Sequence, residues 1–214
     1  MSFAYIIHLA NYSDGVLYIL AAFFLIVLTV MIDRFWSLRI TILRGQSIIR
    51  HTSTYEKLDQ VALASLCKEA GTLPEAELVD TAIKFFPLKR EEIKDRLEET
   101  ILLLAPRLDR RLWLLDTIIT LAPLMGLFGT IIGMFHAFNV LSLPGHAPTE
   151  VTGGVADALA ATAFGIFIAM IGLAGYNALS NQVRLIVHQL ESLKSMLVNR
   201  LADVAYTNIH NAHS

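Results

Sequence analysis

Leu121–Gly133 reads LAPLMGLFGTIIG and Gly154–Gly165 reads GVADALAATAFG. Both stretches are almost wholly apolar, yet both are set with glycine, alanine and single hydroxyl or carboxyl groups. They lie inside two longer apolar regions, about Leu112 to Leu143 and Val151 to Ser180, and residues 112–183 hold no Lys or Arg. A helix crosses the hydrocarbon core with about 20 mostly apolar residues. Ser142–Glu150 (SLPGHAPTE) carries two prolines and a glycine between the regions, the composition of a short turn. The pattern predicts an antiparallel transmembrane hairpin, with helices at 113–141 and 151–180 and a loop at 142–150.

A further span precedes the hairpin. Val16–Ile32 reads VLYILAAFFLIVLTVMI, seventeen residues without a charge. Asp33-Arg34 ends the run and Phe35-Trp36 supplies interfacial aromatics, so the span is placed at 15–36. No Lys or Arg precedes it, which argues against a cleaved signal peptide. The composition of the 214-residue chain agrees: 55% hydrophobic and 17% charged, with a mean hydropathy of +0.56. Soluble domains average about 25% charged residues. A net charge of −2 gives no reason to invoke nucleic acid. One cysteine, Cys67, excludes an intrachain disulfide and a cysteine-cluster metal site. Three spans leave room for a modest polar part and not for a large enzyme domain.

Basic residues set the expected orientation. Fourteen of the 17 lie between Arg34 and Arg111; the others are Arg184, Lys194 and Arg200. Cytoplasmic segments carry the Lys/Arg excess. The fold class is therefore an all-α membrane protein with three transmembrane helices, N-terminus out and C-terminus in. Residues 1–14 and 142–150 are then periplasmic. Residues 37–112 form a cytoplasmic helical domain and 181–214 a cytoplasmic helical tail.

The spans differ in composition. Span one is dominated by Leu, Ile, Val and Phe, which suits lipid contact. In span three, 13 of the 30 residues from Val151 to Ser180 are Gly or Ala. Small residues let helix backbones approach closely inside a bilayer. Ala158, Thr162, Gly165, Ala169, Gly172 and Tyr176 form one continuous face. Gly126, Thr130 and Gly133 do the same in span two, with Gly129 beside them. Two such helices enclose little alone, so a homo-oligomer with spans two and three innermost is expected.

Outside the spans, helical patterns recur. Leu58, Val61, Ala62 and Leu66 mark one amphipathic segment, and Glu75–Phe86 is another between Pro74 and Pro87. From Lys89 the run KREEIKDRLEETILLLAPRLDRRLWLL leads directly into span two, with Pro106 able to kink it. After span three, Val183, Ile186, Leu190, Leu193, Leu197, Leu201 and Val204 make a coiled-coil-like stripe. Asn208–Ser214 reads as a frayed end.

An ionisable residue inside a span is costly and is a functional candidate by default. Asp157, with Thr130 and Thr162, could line a polar track for water, a proton or a partner's side chain. The alternatives are threonines bonded to their own helix and an Asp157 that complements the helix dipole. Asp116 is expected to pair with the cluster Arg107, Arg110, Arg111, arginines also placed to meet lipid headgroups. Glu91, Glu92, Asp95, Glu98 and Glu99 alternate with bases, as in Glu92–Arg96, and read as a solvated helix face. In a ring of subunits the same run would be a charged cytoplasmic collar. His136 has no partners that suggest a metal. No GxSxG, HExxH or GxGD motif is present, and Asp116 and Asp157 sit near opposite ends of the hairpin. No enzyme activity and no cofactor are expected.

Two motifs of the hairpin coincide with a known pattern: a Pro followed by GLxGTxxG, then G-x-A-acid-A-L-x-x-T-x-x-G after a short outer loop. In this the chain resembles the ExbB/TolQ/MotA family, and its three-span layout is most similar to ExbB and TolQ; MotA has four spans. The resemblance implies a homopentameric channel subunit of the bacterial inner membrane. It implies protons as the translocated ion and a one-span ExbD- or TolR-like partner inside a pore lined by spans two and three. A TonB- or TolA-like protein would receive the energy. In the ExbB branch that energises import of iron complexes, haem and vitamin B12 across the outer membrane; the TolQ branch serves the Tol-Pal envelope system. A passive scaffold is the other reading. Thr130 and Thr162 match the motif threonines. Asp157 matches a position where Glu is usual, and its side chain is one methylene shorter.

Overall fold

The computed structural model describes residues 15–86, 90–141 and 148–212, with side chains described at 15–86, 90–139 and 153–201. The expected outer segment 1–14, most of the loop 142–150 and the side chain of Val204 fall outside these. The chain is built from helices: α1 Val16–Thr54, α2 Gln60–Ala70, α3 Pro74–Lys84, α4 Arg90–Leu108, α5 Leu112–Leu141 and α6 Pro148–Ala212. Three of them, α1, α5 and α6, are long and apolar enough to cross a membrane.

Local chemistry sets the helix ends. Asp59 caps α2, its Oδ1 accepting from the Ala62 N–H at 2.7 Å. Gly71, at φ 56°, ends it in a conformation that costs glycine little. Pro74 opens α3, where its missing N–H would have been unpaired anyway. From Arg90 to the hairpin the run forms two helices, α4 and α5, rather than one continuous helix. It breaks after Leu108, and Arg111 takes a left-handed φ of 75° just before α5 begins. Pro106, meanwhile, is accommodated inside α4.

The chain divides into two compact units, residues 1–34 with 111–178, and residues 35–110 with 179–214. The first is built on close backbone approach between antiparallel α5 and α6. A β-carbon placed on Gly126 would lie 2.8 Å from the Ala161 carbonyl oxygen and 2.9 Å from Thr162 Cα. One on Gly165 would collide with the Ala122 carbonyl and lie 3.2 Å from Gly126 Cα. One on Gly133 would lie 2.7 Å from Ala158 Cβ. The N-terminal half of α1 closes the unit. Val16 reaches Gly129, Val27 approaches Gly172, and Phe24 meets Phe164 and Phe167 with ring centroids 6.0 and 6.3 Å apart. Asp33 and Arg111 pair at 2.6 Å.

The outward faces of this unit are apolar. Leu25, Leu124, Ile131, Phe135, Leu159 and Met170 are all exposed. Only 17% of the most apolar window of α1, and 33% of those of α5 and α6, is buried within the chain. Water penalises apolar patches this large, and a bilayer does not.

The second unit packs by side chains. In its part of α6, Val183, Ile186, Leu190, Leu193, Leu197 and Leu201 are buried. Ile48 of α1 packs with Ala70, Ala76 and the half-buried Leu73. Polar bonds tie the elements: Gln189 Nε2 donates to the Ile42 carbonyl at 3.2 Å, Arg200 to the Thr52 carbonyl, and Arg107 to Glu77 at 2.9 Å.

Gly165→Ala drives a methyl into the Ala122 carbonyl, whereas Gly153 has open space. Thermal unfolding in detergent is expected to show a loss of about 1–3 kcal/mol for Gly165→Ala, the usual cost of overpacking. Gly153→Ala should leave stability nearly unchanged.

Candidate functional site

The helix register places the expected residues. Thr162 lies opposite Gly126, and Ala158 opposite Gly133. Thr130 is one turn along α5 from Gly126, so the two threonines differ by about 6 Å along the hairpin axis. Asp157 precedes Ala158 on α6 and is half-buried. The three polar residues thus occupy about two turns of the hairpin, and no hydrogen bond between any two of them is formed.

The two hydroxyls are in different states. Thr130 is 8% exposed and donates to the Leu127 carbonyl at 2.6 Å, within its own helix. Its oxygen lone pairs stay available. Thr162 Oγ1 is buried and makes no hydrogen bond. The geometry explains why: Gly126 brings the α5 backbone against Thr162 Cα, which encloses the hydroxyl without offering it a side-chain partner. An enclosed hydroxyl can both donate and accept, so Thr162 holds unspent hydrogen-bonding capacity at the tightest part of the hairpin.

Of the small residues singled out, Gly126, Gly129, Gly133, Ala158 and Gly165 are buried and Ala169 is half-buried. They form the contact surface inside one chain. The outward stripe of α6 is Ala156, Leu159, Ala163, Ile166, Met170 and Leu173, spaced alternately three and four.

The charged groups pair differently from the sequence reading. Arg107 binds Glu77 and Arg111 binds Asp33, so the cluster does not close on Asp116, which is exposed. Arg110 is exposed beside them. On α4, Glu91, Glu92, Asp95, Glu98 and Glu99 all face solvent. Arg96 pairs with Glu99 at 3.1 Å instead of with Glu92. Lys194 reaches Glu191 at 2.5 Å and Glu98 at 3.6 Å. Burial alone would lower its pKa, but the two carboxylates outweigh that and hold it above the usual lysine value. Among the described residues no three His, Cys, Asp or Glu side chains come together as a metal ion would need.

Polar residues of the second unit escaped the sequence reading. Glu75, Gln182 and the Gln189 side-chain oxygen are buried. One signal was present: Gly45 stands inside a helical run, where glycine costs about 1 kcal/mol. In the structure that position faces Glu75 and Gln189.

The sequence model of the MotA/TolQ/ExbB proton channel family matches residues 72–192, more than half of the chain and the whole hairpin. The chain belongs to this family. Membership and its three long apolar helices make it a multi-pass membrane protein. A protein of Methanothermobacter thermautotrophicus named as an ExbB homolog is 27% identical over 143 residues, 66% of this chain and 51% of the relative. The match thus spans about half the length of that relative. ExbB-like protein 3 of Synechocystis is 31% identical over 159 residues, covering 72% of this chain and 75% of its own. The Tol-Pal system protein TolQ of Haemophilus influenzae is 42% identical over 80 residues, 37% of this chain and 35% of its own.

The two threonines should respond differently to loss of the hydroxyl. Thr162→Val removes a group with no hydrogen bond, so the melting temperature in detergent is expected to hold or rise. Thr130→Val deletes the bond to Leu127 and should cost about 0.5–1.5 kcal/mol.

Proposed function

We propose that this chain is the proton-motive-force-driven channel and motor subunit of an ExbB–ExbD-type complex, energising TonB-dependent import across the outer membrane. The observation that carries the reading is the enclosed, unpartnered Thr162 hydroxyl at the Gly126 contact, on a hairpin matched by the proton channel family. A proton path needs groups that can donate and accept in turn. Thr162, with the free lone pairs of Thr130 one turn away and the carboxyl of Asp157, supplies them.

The accompanying arrangement follows from the residues. The chain resides in the bacterial inner membrane with its N-terminus out, because all 17 basic residues fall outside 1–33 and 112–183. The chain assembles into a homopentamer, a reading carried by the family resemblance. Its pore holds the single transmembrane helices of an ExbD- or TolR-like partner, and a TonB-like protein receives the work. Iron complexes, haem and vitamin B12 are the cargo class. Protons are the only ion moved, and no cofactor or enzymatic step is involved. Asp157, shorter than the usual Glu, hydrates the pore mouth more readily than it reaches a partner helix. Arg107, Arg110 and Arg111 would meet the lipid headgroups. The exposed acids of α4 form the charged collar of the ring.

A TolQ-type role in the Tol-Pal system is the second reading, favoured by the 42% identity to the Haemophilus influenzae protein over 80 residues. A TonB-like or a TolA-like gene beside the chain's one-span partner separates the two.

The test is proton flux in liposomes holding the chain with its one-span partner. Thr130→Ala combined with Thr162→Ala is expected to abolish gradient-driven flux while the complex still co-purifies. Wild-type flux in the double variant would take the proton path away from these threonines, and no flux from the unmodified complex would return the chain to a passive scaffold.

A further inference from the structure

Glu75 stands in the first turn of α3 and is wholly buried, with neither carboxyl oxygen hydrogen-bonded to a side chain or to another element. Its carboxyl rests against α1 at Gly45, where a β-carbon would collide with Glu75 Oε1 and lie 3.0 Å from its Cδ. The same point lies 3.1 Å from Gln189 Oε1 of α6, a second buried oxygen without a donor. The Gln189 amide is oriented by its nitrogen, which donates to the Ile42 carbonyl. Turning it over would set its oxygen against that carbonyl. Two acceptors therefore converge over Gly45 with no donor between them.

An ionised carboxylate is acceptor-only, and burying one without donors is strongly unfavourable. A protonated carboxyl carries one O–H, which supplies the missing donor, and its neutral carbonyl is far less costly to bury than a carboxylate. We infer that Glu75 is a buried proton-binding site, whose carboxyl O–H donates to Gln189 Oε1 across Gly45 and docks α3 on α1 and α6.

The surrounding charges do not replace that proton. Arg44 beside Gly45, His188 beside Gln189, and Lys68, Glu77 and Asp80 on α2 and α3 are exposed. Glu69 is engaged with His51, Glu77 with Arg107, and Glu191 with Lys194. Burial pushes the Glu75 pKa up from the ordinary 4.5, opposed only by its own backbone N–H. The sign of the linkage follows. The folded chain keeps the proton to a higher pH than the unfolded chain, so stability falls as pH rises above the ordinary carboxylate value. The fall stops once the folded pKa is passed. The site makes docking of α3 sensitive to the pH around the second unit.

The test uses the full chain purified in detergent. Infrared difference spectra between wild type and Glu75→Gln at neutral pH are expected to contain the carbonyl band of a protonated acid in the wild type only. The wild-type melting temperature should fall as pH is raised above the carboxylate range. That of Glu75→Gln, whose amide supplies the same donor, should fall less. Gln189→Leu should keep the acid band and move it to the frequency of an unbonded carboxylic acid. Carboxylate bands alone in the wild type, or parallel melting curves, would overturn the site. A wild-type melting temperature that responds to exchanging sodium for potassium, with Glu75→Gln indifferent, would assign it to a metal cation instead.

Discussion

The first unit depends on what is missing along one line: β-carbons. At Gly126 and Gly165 the backbones of α5 and α6 come into direct contact, and a methyl at Gly165 would occupy the space of the Ala122 carbonyl. Inside a bilayer no hydrophobic effect drives helices together, so dispersion between closely approaching backbones must do it. That requirement sets the register of the hairpin, and the register sets the remainder. It places Thr162 beneath Gly126, encloses its hydroxyl, and turns the larger residues of both helices outward. Span one then closes on the hairpin through Val16, Phe24, Val27 and Met31.

The second unit solves a different problem. Its part of α6 carries a continuous apolar stripe, and side-chain packing supplies most of its cohesion. Polar groups are set into that packing at intervals: Gln182, then Gln189 with Glu75, then Arg200 on the Thr52 carbonyl. Buried polar contacts of this kind add little net stability, but the bonds of Gln189 to Ile42 and of Arg200 to Thr52 penalise a shifted register, because a slip would break them. Exposed pairs such as Arg96–Glu99 contribute at most a fraction of a kcal/mol. The α1 and α6 helices each contribute residues to both units, so each takes part in two modes of packing.

Composition and period are intrinsic to the chain. They made three apolar helices, the small-residue faces and the stripe of the tail readable from residues alone. The candidate threonines and Asp157 were readable for the same reason, since a polar group in an apolar run stands out whatever the packing. What the small faces touch was not readable. A glycine stripe announces close approach but not the approaching partner, and here the partner lies in the same chain. The break between α4 and α5 was equally hidden, because it rests on one non-glycine residue, Arg111, held left-handed. The partner of Arg96 escaped because a long charged side chain reaches several acids within a turn or two, and those of Arg107 and Arg111 because Glu77 and Asp33 lie 30 and 78 residues away in sequence.

By itself, then, the sequence determined which segments leave water, which carry charge and which residues are chemically out of place. Those properties are local sums over neighbouring side chains. The tertiary structure alone decided that Thr162 is enclosed while Thr130 is satisfied, and that Glu75 and Gln189, more than a hundred residues apart, share one dry point over Gly45. Burial and hydrogen-bond satisfaction depend on atoms brought from elsewhere in the chain, and no local pattern encodes them.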